Sequence, residues 1–599
     1  MSEKRSKAYG KSFYYNFIAG AQKILEHQKE LNKLNVFPVP DADTGSNLAS
    51  TIRSIIENTV PHRSIKKSAE AIAYAALEGA RGNSGVILAQ YLYGFSVEAS
   101  EEENRFDIKN LTRSLKNAVK YMYDAVANPV EGTMITVIKN WADYLYKEHE
   151  KTKSITHLLI KSYDIAQESL KKTTNQIAIL KKANVVDAGG KGIVLFLEGM
   201  IDFIKNKNFK KIIKAKQETI EIEGIEENIS LEDVKYRFCT EALLRDVRPD
   251  KAILNDILGN YGDSIVIAGS KDNLRIHIHT DRPAELFYSL RNSGTIVYQK
   301  ADDMKKQYET AYKRKFKIAL VTDSSCDLPL ELIDSYQIQM VPLNIFFGEN
   351  HYLDKLTIVP EHFYRMLDES TYFPTTSQVN YKTFQNLYSQ LSSHYDSIIS
   401  VHLSKEFSGT FSNSLHAAEQ IEKETGKKIK VVNSRQASGS LGLIVLRIAR
   451  SIEAGMTMDE INDQIGSWIA NTRIFIAVKT MDYFIKGGRV SPVKGFIAKI
   501  LNLKPIVSVN GEGKAFVFDK AFSQKGILKN ILLHIKNFTM NRNVWEFCIL
   551  HAGNAQKAAE YCVKIEAIIG KKAAYIMNIS PVIGLNSGIG AVAVALMTE

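Results

Sequence analysis

Apolar residues recur at helical spacing through the first third of the chain. No strand-like alternation interrupts this pattern before about residue 210. The spacing predicts helices at Phe13–Glu30, Ser46–Glu57, Lys66–Leu77, Val86–Phe95, Ile108–Ala127, Met134–Lys147, Ile155–Lys172 and Lys191–Phe203. The sequence therefore predicts that the chain begins with an all-α domain.

The pattern changes twice after this domain. An acidic stretch from Glu218 to Asp233 precedes shorter β-like runs mixed with helices, SIVIAG and LRIHIHT, which predict a small α/β domain. From Lys315 onward, apolar runs that end in polar or glycine-rich turns alternate with helices, as in FKIALVTDSS, DSIISVHLSKEFSGT, KIKVVNSRQASG and TRIFIAVKT. This alternation predicts a parallel sheet in a doubly wound α/β fold. We place the domains at 1–212, 213–312 and 313–599.

Size, charge and cysteine content narrow the functional classes. The 599 residues exceed what one hydrophobic core usually holds. The net charge of +11 is spread along the chain without a dense basic run, so we expect no nucleic-acid partner. Polar residues, a proline and glycines interrupt the charge-free tract at 573–598, so we expect a cytoplasmic protein without a membrane helix. The four cysteines include no CxxC pair, which argues against a disulfide framework.

The segment NVFPVPDADTGSN, residues 35–47, places Asp41 and Asp43 two residues apart before a predicted helix. Such carboxylates repel each other unless a cation lies between them. A hard cation such as Mg²⁺ commonly bridges a protein carboxylate and a nucleotide phosphate. The pair therefore predicts a metal-nucleotide site, with an Asx-turn that caps the helix as the alternative.

Two further loops place polar groups at helix starts. In EGARGNSGVILAQ, residues 78–90, one helix ends and another begins around Gly82, Asn83 and Ser84, which leaves backbone N–H groups and hydroxyls to receive phosphate oxygens. In NVVDAGGKG, Asp187 precedes a glycine pair that opens a helix. Each loop alone is typical of an ordinary turn between helices, but together they form a pattern that favours phosphate binding.

The middle domain contains a candidate metal site. His277 and His279 lie two residues apart in a strand-like run, so both imidazoles project from the same face. Cys239, in YRFCTE at the end of another predicted strand, is the candidate third ligand. The resulting Cys-His-His set would keep a fourth position open, as catalytic zinc sites do. The alternative is a pair of core histidines with satisfied hydrogen bonds.

The third domain has hydroxyl-rich loops after its predicted strands. Ser408, Gly409 and Thr410 follow a strand and open a helix, where hydroxyl and backbone N–H groups favour a carboxylate. Such loops are frequent in α/β proteins of any function. These residues alone therefore leave a carboxylate site as one of two readings.

The first domain resembles the nucleotide-binding, DhaL-like domain of dihydroxyacetone kinases, in the version found in bacterial fatty acid kinase A. PVPDADTGSN, ARGNSG, NPVEGTMITV and VVDAGG carry the resemblance. It implies a helical barrel that binds ATP and Mg²⁺ at one end, with Asp41 and Asp43 as metal ligands and Thr133 near the phosphates. The nucleotide would be surrounded by Thr44, Ser46, Asn47, Gly82, Asn83, Ser84 and Asp187. Ala42 departs from the family's usual glycine, and Asn35 stands nearest to a third aspartate of the dihydroxyacetone kinases.

The rest of the chain resembles two further known domains. CTE and HIHT match the middle domain of fatty acid kinase A, which implies zinc on Cys239, His277 and His279. From Lys315 the chain resembles the DegV family of fatty-acid-binding proteins, through VTDSSCDLP, PTTSQ, FSGTFSNS, NSRQASGSLG and MDYFIKGGRVS. This implies a two-layered α/β fold with a carboxylate site. Its implied residues are Thr376, Ser377, Ser408, Gly409 and Asn586, and Leu585-Asn586 replaces the family's usual Thr-His pair.

Together these resemblances imply a fatty acid kinase, which transfers a phosphoryl group from Mg-ATP to a fatty acid held by its own C-terminal half. Asp41, Asp43, Thr133 and Arg489 are the predicted catalytic residues, Arg489 as an aligning group. The expected partners are a fatty acid, a second copy in a homodimer, and a transient membrane or acyltransferase contact. The alternatives are a dihydroxyacetone-type kinase, which the first domain alone would support, and a non-catalytic lipid carrier or sensor.

Overall fold

The structure is a computed structural model that describes residues 8–36, 43–99, 105–152, 154–206, 235–370, 372–488 and 504–599. The chain divides into two compact units. Met1–Arg282 and Leu290–Tyr308 form the first unit, and Pro283–Ser289 and Glu309–Glu599 form the second. The predicted boundary at 212 lies outside the described residues, and the boundary at 312 stays a prediction.

The first part of the chain is helical, as predicted. Its helices are α1 (Gly10–Glu26), α2 (Gln28–Leu34), α3 (Thr44–Asn58), α4 (Ile65–Gly79), α5 (Gly82–Glu98), α6 (Ile108–Ala125), α7 (Met134–Glu148), α8 (Ile155–Gln176), α9 (Ala178–Ala183) and α10 (Ala188–Asn206). Ala8–Tyr9 (β1) pairs antiparallel with Arg105–Phe106 (β2), and His149–Lys151 is a 3₁₀ turn. The predicted helix Phe13–Glu30 is broken at His27, and the short α9 was not predicted.

One apolar core holds these helices together. It includes the fully buried Ile24, Leu48, Ile52 and Val86, and it extends to Val266 of the small sheet described next. Burying such side chains stabilises by roughly 1.5–3 kcal/mol each relative to leaving them in water. The small sheet is therefore part of the same core as the helices.

The segment after residue 235 forms a four-stranded antiparallel sheet in the order β4-β5-β3-β6. Its elements are β3 (Phe238–Arg245), α11 (Lys251–Gly259), β4 (Gly262–Gly269), β5 (Leu274–Thr280), α12 (Pro283–Leu290), β6 (Thr295–Asp303) and α13 (Met304–Tyr312). The predicted runs at 264–269 and 274–280 are both strands. Cys239, however, lies near the beginning of its strand and not at the end, because the following residues Thr240–Arg245 continue the pairing with both neighbours.

Hydrogen bonds tie this sheet to the helical domain. The Gly269 N–H donates to Gln90 Oε1 on α5 at 2.6 Å, and the Ala127 N–H donates to the Ile265 carbonyl at 3.1 Å. The glycine has φ of +102°, a backbone conformation that side chains other than hydrogen disfavour. The helices and the sheet are therefore joined by hydrogen bonds as well as by apolar contacts.

The second unit is an α/β fold, as predicted. Its elements are β7 (Ile318–Asp323), α14 (Leu330–Ser335), β8 (Gln339–Val341), β9 (Asn344–Phe347), β10 (Asn350–Leu353), α15 (Pro360–Glu369), β11 (Thr375–Ser377), α16 (Tyr381–Ser392), β12 (Ser397–His402), α17 (Thr410–Thr425), β13 (Lys428–Asn433), α18 (Ser438–Glu453), α19 (Met458–Ala470), β14 (Thr472–Ala477), α20 (Asp482–Lys486), β15 (Lys504–Val509), β16 (Ala515–Ala521), α21 (Gln524–Thr539), β17 (Val544–His551), α22 (Ala555–Ile569), β18 (Tyr575–Asn578), α23 (Pro581–Ser587) and β19 (Val592–Thr598).

The described strands of this unit form three sheets. A parallel sheet has the order β13-β12-β7-β8, and β9, β10 and β11 pair antiparallel. A mixed sheet has the order β16-β15-β14-β19-β17-β18. The expectation of one parallel sheet is wrong for TRIFIAVKT, because its strand β14 pairs antiparallel with β15 and β19. Strand direction depends on distant partners, which local alternation does not specify.

Asp327, from the VTDSSCDLP segment, fastens the end of the chain to the first strands of this unit. Its carboxylate is fully buried and accepts hydrogen bonds from the Ser438 hydroxyl at 2.6 Å and the Ser580 N–H at 3.0 Å. Lys355 Nζ lies 3.0 Å from the same carboxylate. One side chain therefore links four segments of the unit.

Searched across the described residues, no helix combines the length and the apolarity needed to span a membrane.

Replacing Asp327 by Ala should lower the free energy of unfolding of the second unit by about 3–5 kcal/mol, because the Lys355 charge and the Ser580 N–H would stay buried without their partner. Urea denaturation followed by Trp468 and Trp545 fluorescence, in a Trp141→Phe background, measures this unit alone.

Asp459→Ala is the matched control, since the Asp459 carboxylate is 82% exposed and lies 3.5 Å from Lys428. Exposed pairs of this kind contribute little. Equal loss in both variants would contradict the role of Asp327.

Candidate functional site

The start of α3 is fastened to the preceding helix α2. The Thr44 hydroxyl donates to Asn35 Oδ1 at 2.8 Å, and the Ser46 N–H donates to Asn32 Oδ1 at 3.0 Å. In the part of the chain that the structure describes, Asp43 is the N-cap residue of α3 but its side chain makes no capping hydrogen bond. The Asx-turn alternative is therefore not observed for Asp43.

The start of α5 lies against the start of α3. Gly82, the first residue of α5, has φ of +55°, and a Cβ at this position would overlap the side-chain amide of Asn47. Among the residues for which the structure gives positions, Asn83 Oδ1 and the Ser84 hydroxyl are buried atoms without a hydrogen-bond partner. Buried polar atoms normally have partners, so these two groups fit a polar ligand at the start of α5.

Helix α10 packs closely against both α3 and α7. A Cβ on Gly192 would lie 2.6 Å from Leu48 Cδ1 of α3, and a Cβ on Gly189 would lie 3.1 Å from Met134 Cβ of α7. Each contact falls within about one turn of a helix start. The lack of a side chain at these two positions of α10 therefore allows the first turns of these helices to approach closely.

Asp187 joins the starts of α7 and α10. Its buried carboxylate accepts from the Gly190 N–H at 2.6 Å and from the Met134 backbone. Burial raises the pKa of Asp187 to about 6, although these two hydrogen bonds act in the opposite direction. Thr133 precedes α7, but its hydroxyl donates to the Val130 carbonyl at 2.8 Å. Asp187 is therefore a structural acceptor here, and a phosphate contact of Thr133 stays a prediction.

The four helix starts thus form one continuous group at one end of the helical domain. The positive ends of helix dipoles and their free N–H groups favour anions, and phosphate is a typical ligand. The structure brings most of the predicted nucleotide residues to these starts: Asp43, Thr44, Ser46, Asn47, Gly82, Asn83, Ser84, Thr133 and Asp187. Their direct contact with ATP stays a prediction.

Cys239, His277 and His279 come together as predicted. One ligand atom from each lies within 4.8 Å of the others, and Cys239 Sγ is 3.9 Å from His277 Nδ1. Burial lowers the pKa of His279 to about 3, so its imidazole is neutral, which is the form that binds metals. His277 Nε2 is buried and has no hydrogen-bond partner among the described residues. A sulfur and two imidazole nitrogens fit zinc.

The cluster is electrostatically close to the start of α3. Burial raises the pKa of the Cys239 thiol, and the carboxylates of Glu241, Asp302 and Asp43 act in the same direction, while Lys300 opposes them. Asp43 therefore lies within electrostatic reach of the sulfur.

Glu241 and Arg275 are site residues that the sequence analysis missed. Their side chains are 1% exposed and form an ion pair at 2.6 Å. Burial alone would raise the pKa of Glu241, but the Arg275 guanidinium holds it well below its usual range. The available signal was their spacing: Glu241 lies two residues after Cys239, and Arg275 two residues before His277, so each shares a strand face with a predicted ligand.

In the second unit, the structure brings together the hydroxyl-rich segments around Ser377 and Ser408. A Cβ on Gly409 would overlap the side chain of Gln378, and the Val379 N–H donates to Thr410 Oγ1 at 3.3 Å. Thr376 and Ser377 lie on the adjoining strand β11. These hydroxyls therefore gather at the start of α17, where a carboxylate is favoured.

Asn586 lies beside the turn that follows α20. Gly487 packs so closely on Asn586 Oδ1 that a Cβ would overlap it, while the Asn586 side-chain N–H donates to the Val582 carbonyl at 3.2 Å. The residues that follow Asn586 in the chain line a cavity of about 230 Å³. Its lining residues are Asp368, Lys479, Thr480, Tyr483, Ser587, Gly588 and Ile589. Lys479 supplies a cation that the sequence analysis did not consider.

Two predicted catalytic residues, Asp41 and Arg489, lie outside the described residues, as does Ala42. Their roles stay predictions.

Three family models match successive segments of the chain. A DAK2 domain matches residues 38–202, the middle domain of proteins similar to fatty acid kinase A matches 235–311, and an uncharacterised protein family, the DegV family, matches 317–599. These matches confirm the predicted succession of a DhaL-like domain, a middle domain like that of fatty acid kinase A, and a DegV domain.

The curated relatives cover only part of this chain. An uncharacterized protein of Staphylococcus haemolyticus is 34% identical over 324 residues, which are 52% of this chain and 58% of that protein. An uncharacterized protein of Staphylococcus aureus strain USA300 is 33% identical over 323 residues, with the same coverage. The chain thus spans less than two thirds of the length of these relatives.

Solved structures are similar to about half of the chain. A DegV family protein of Thermus thermophilus, described for its fatty acid binding, is 25% identical with a TM-score of 0.44 and covers 47% of this chain and 100% of its own. DegV of Bacillus subtilis, described as a fatty acid binding protein, is 26% identical with a TM-score of 0.44 and covers 48% and 100%.

Replacing Gly82 by Ala should destabilise the first unit by about 1–3 kcal/mol, because the new Cβ would be strained at positive φ and would overlap Asn47. The measurement is urea denaturation followed by Trp141 fluorescence in a Trp468→Phe/Trp545→Phe background. Gly259→Ala is the control, since a Cβ there meets no atom within 4 Å. A Gly82→Ala protein as stable as this control would disprove the close approach.

Elemental analysis of the purified full chain should find about one zinc ion per molecule, and Cys239→Ser should lose most of it, because a serine hydroxyl is a poor zinc ligand. Cys562→Ser, which changes a buried cysteine of the second unit, should keep the metal. Metal-free wild-type protein, even after incubation with zinc and desalting, would refute the cluster as a metal site.

Proposed function

We propose that this chain, which joins a DAK2 domain, a middle domain like that of fatty acid kinase A and a DegV domain, is a fatty acid kinase. It phosphorylates the carboxylate of a fatty acid bound by its second unit and uses Mg-ATP bound by its first unit. The observation that carries the proposal is the group of four helix starts, in which atoms of Asn83 and Ser84 are buried without a hydrogen-bond partner among the described residues. The hydroxyls near the start of α17 support the acceptor part of the proposal.

The residues of the first unit bind the nucleotide in this proposal. The N–H groups in the first turns of α3 and α5 bind phosphate oxygens, apart from those of Ser46 and Gly82, which donate to Asn32 and Glu241. Asn83 and Ser84 provide the polar side-chain contacts. Asp43, together with Asp41, holds magnesium. When bound, Mg²⁺ supplies positive charge that offsets the charge on the β- and γ-phosphates.

The residues of the second unit hold the acceptor. Ser377, Ser408 and the N–H groups at the start of α17 bind the carboxylate, with Thr376, Gly409 and Asn586 as the other proposed substrate residues. A fatty acid carboxylate is already ionised at neutral pH, so no general base is needed. Positioning of the two reactants and neutralisation of their charge therefore account for most of the reduction of the activation barrier.

In the transfer step, a carboxylate oxygen attacks the γ-phosphorus of ATP. A bond forms between this oxygen and phosphorus, the bond from the γ-phosphorus to the bridging oxygen breaks, and ADP leaves. The products are an acyl phosphate and Mg-ADP. Because both sites belong to one polypeptide, the effective concentration of one for the other is of order mM if the linker allows docking. A homodimer and a transient contact with a membrane or an acyltransferase remain part of the proposal.

The decisive experiment incubates the full chain with Mg-ATP and either oleate, palmitate, dihydroxyacetone or no acceptor. ADP release is measured with a coupled assay, and acyl phosphate is trapped with hydroxylamine as the hydroxamate. Oleate or palmitate should raise ADP release at least tenfold above the background, with matching hydroxamate. Asp43→Asn should reduce this rate roughly 100-fold through loss of a metal ligand, whereas Asp164→Asn, an exposed carboxylate of α8, should not.

Stimulation by dihydroxyacetone instead would support the dihydroxyacetone-type kinase, the alternative that the first domain alone would support. Binding of both ATP and fatty acid without ADP release would support a lipid carrier or sensor. Either result overturns the fatty acid kinase.

A further inference from the structure

One face of the small sheet is polar yet buried. Strands β3 and β5 pair so that Cys239 lies opposite His279 and Glu241 lies opposite His277. Because side chains alternate along a strand, the metal-type cluster and Glu241 share one face, with Arg275 next along β5. Sheet faces usually bury apolar side chains, so a buried face of this composition needs partners from another element.

The partners come from the loop before α5. Glu241 Oε1 accepts a hydrogen bond from the Gly82 N–H at 2.6 Å, and Glu241 Oε2 accepts from Arg275 Nη2 at 2.6 Å. The same Arg275 nitrogen donates to the Ala80 carbonyl at 2.6 Å. The ion pair therefore forms hydrogen bonds to the loop on both sides of Arg81.

These hydrogen bonds fix the backbone next to Asn83 and Ser84, the proposed nucleotide-binding residues. Gly82 is the first residue of α5, and its N–H is one of the helix-start donors without a partner inside the helix. Glu241 uses this donor and so holds Gly82 at its positive φ. Asn83 and Ser84 follow directly, and their orientation depends on this backbone conformation.

Glu241 also contacts the cluster. His277 Nδ1 lies 3.9 Å from Glu241 Oε1, while His277 Nε2 is buried and, within the described chain, has no partner. The same His277 Nδ1 lies 3.9 Å from Cys239 Sγ. Glu241 is therefore next to the ring of a predicted metal ligand, and a carboxylate in such a position fixes the orientation of the ring.

We infer that Glu241, paired with Arg275, is a positioning residue that couples metal binding at Cys239, His277 and His279 to nucleotide binding at the Gly82–Ser84 loop. One carboxylate oxygen faces both the ligand His277 and the loop amide, so a shift of His277 on metal binding changes the support of the loop. The inference rests on the nucleotide-binding part of the proposed function, but not on the fatty acid acceptor.

Coupling of this kind is reciprocal. Metal should strengthen nucleotide binding by a certain factor, and nucleotide should strengthen metal binding by the same factor. The two factors are equal whichever residue carries the coupling, so their equality only verifies the measurement. A residue with a purely structural role would change stability and leave the factor unchanged, so the specific readout is loss of the factor in a variant of Glu241.

The test measures the affinity of the full chain for the magnesium complex of a non-hydrolysable ATP analogue by calorimetry. Zinc-loaded protein should bind roughly tenfold more tightly than protein stripped of zinc with a chelator and then desalted. A competition titration of Zn²⁺ should show a similar gain when the analogue is present. No variant is needed for this comparison, so it does not depend on a mutant's folding.

Variants assign the coupling to Glu241. Glu241→Gln should retain zinc, because the ligands are unchanged, but it should bind the analogue about tenfold more weakly and show no further loss when zinc is removed. The double variant Glu241→Gln/Arg275→Gln removes both buried charges together, and it should behave like Glu241→Gln alone. Asp303→Asn, which breaks the Arg237–Asp303 pair in the same sheet, is the control and should preserve the coupling.

Wild-type protein that binds the analogue equally with and without zinc would overturn the inference while leaving the kinase proposal intact. Full coupling in Glu241→Gln would also overturn it, because another residue would then carry the coupling. Failure of zinc-loaded wild-type protein to bind the analogue would overturn both the inference and the proposed function.

Discussion

The buried ion pair of Glu241 with Arg275 is the interaction that joins the small sheet to the loop before α5. Both side chains are almost fully removed from water, which costs several kcal/mol per charge unless each finds partners in a fixed geometry. Those partners are the Gly82 N–H and the Ala80 carbonyl of the helical domain. The sheet and the loop before α5 are therefore mutually dependent, and separation of the two would remove a hydrogen-bond partner from each member of the ion pair.

Unpaired backbone groups also explain why the helix starts favour an anion. A helix start leaves N–H groups without partners inside the helix, and several such starts brought together form an environment that favours an anion. Glycines at 82, 189 and 192 permit the approach because a side chain there would overlap a neighbouring helix or strain it. The approach of these helix starts thus depends on the absence of side chains at the three glycines as well as on the polar residues.

In the second unit, buried carboxylates bond to segments that are distant in the sequence. Asp327 links distant segments, and Asp323 accepts from the Leu403 N–H at 3.0 Å and contacts His402 Nδ1 at 3.0 Å. Burial raises the pKa of Asp354 to about 7, although nearby Lys355 opposes this rise. The aspartates of VTDSSCDLP are therefore engaged in contacts within the unit, while the hydroxyls around Ser377 and Ser408 lie near the start of α17, where an anion is favoured.

The sequence by itself determined the helical first part, the strands at 264–269 and 274–280 and the polar loops, because these follow from local periodicity and from residues adjacent in the chain. It also placed His277 and His279 on one strand face, since spacing by two residues fixes a common face, and it offered Cys239 as the third ligand although it placed this residue at the wrong end of its strand. Only the tertiary structure decided that β14 lies in a mixed sheet and that Glu241 contacts Gly82, 159 positions away. Contacts across such distances depend on how whole elements pack, and no local pattern encodes them.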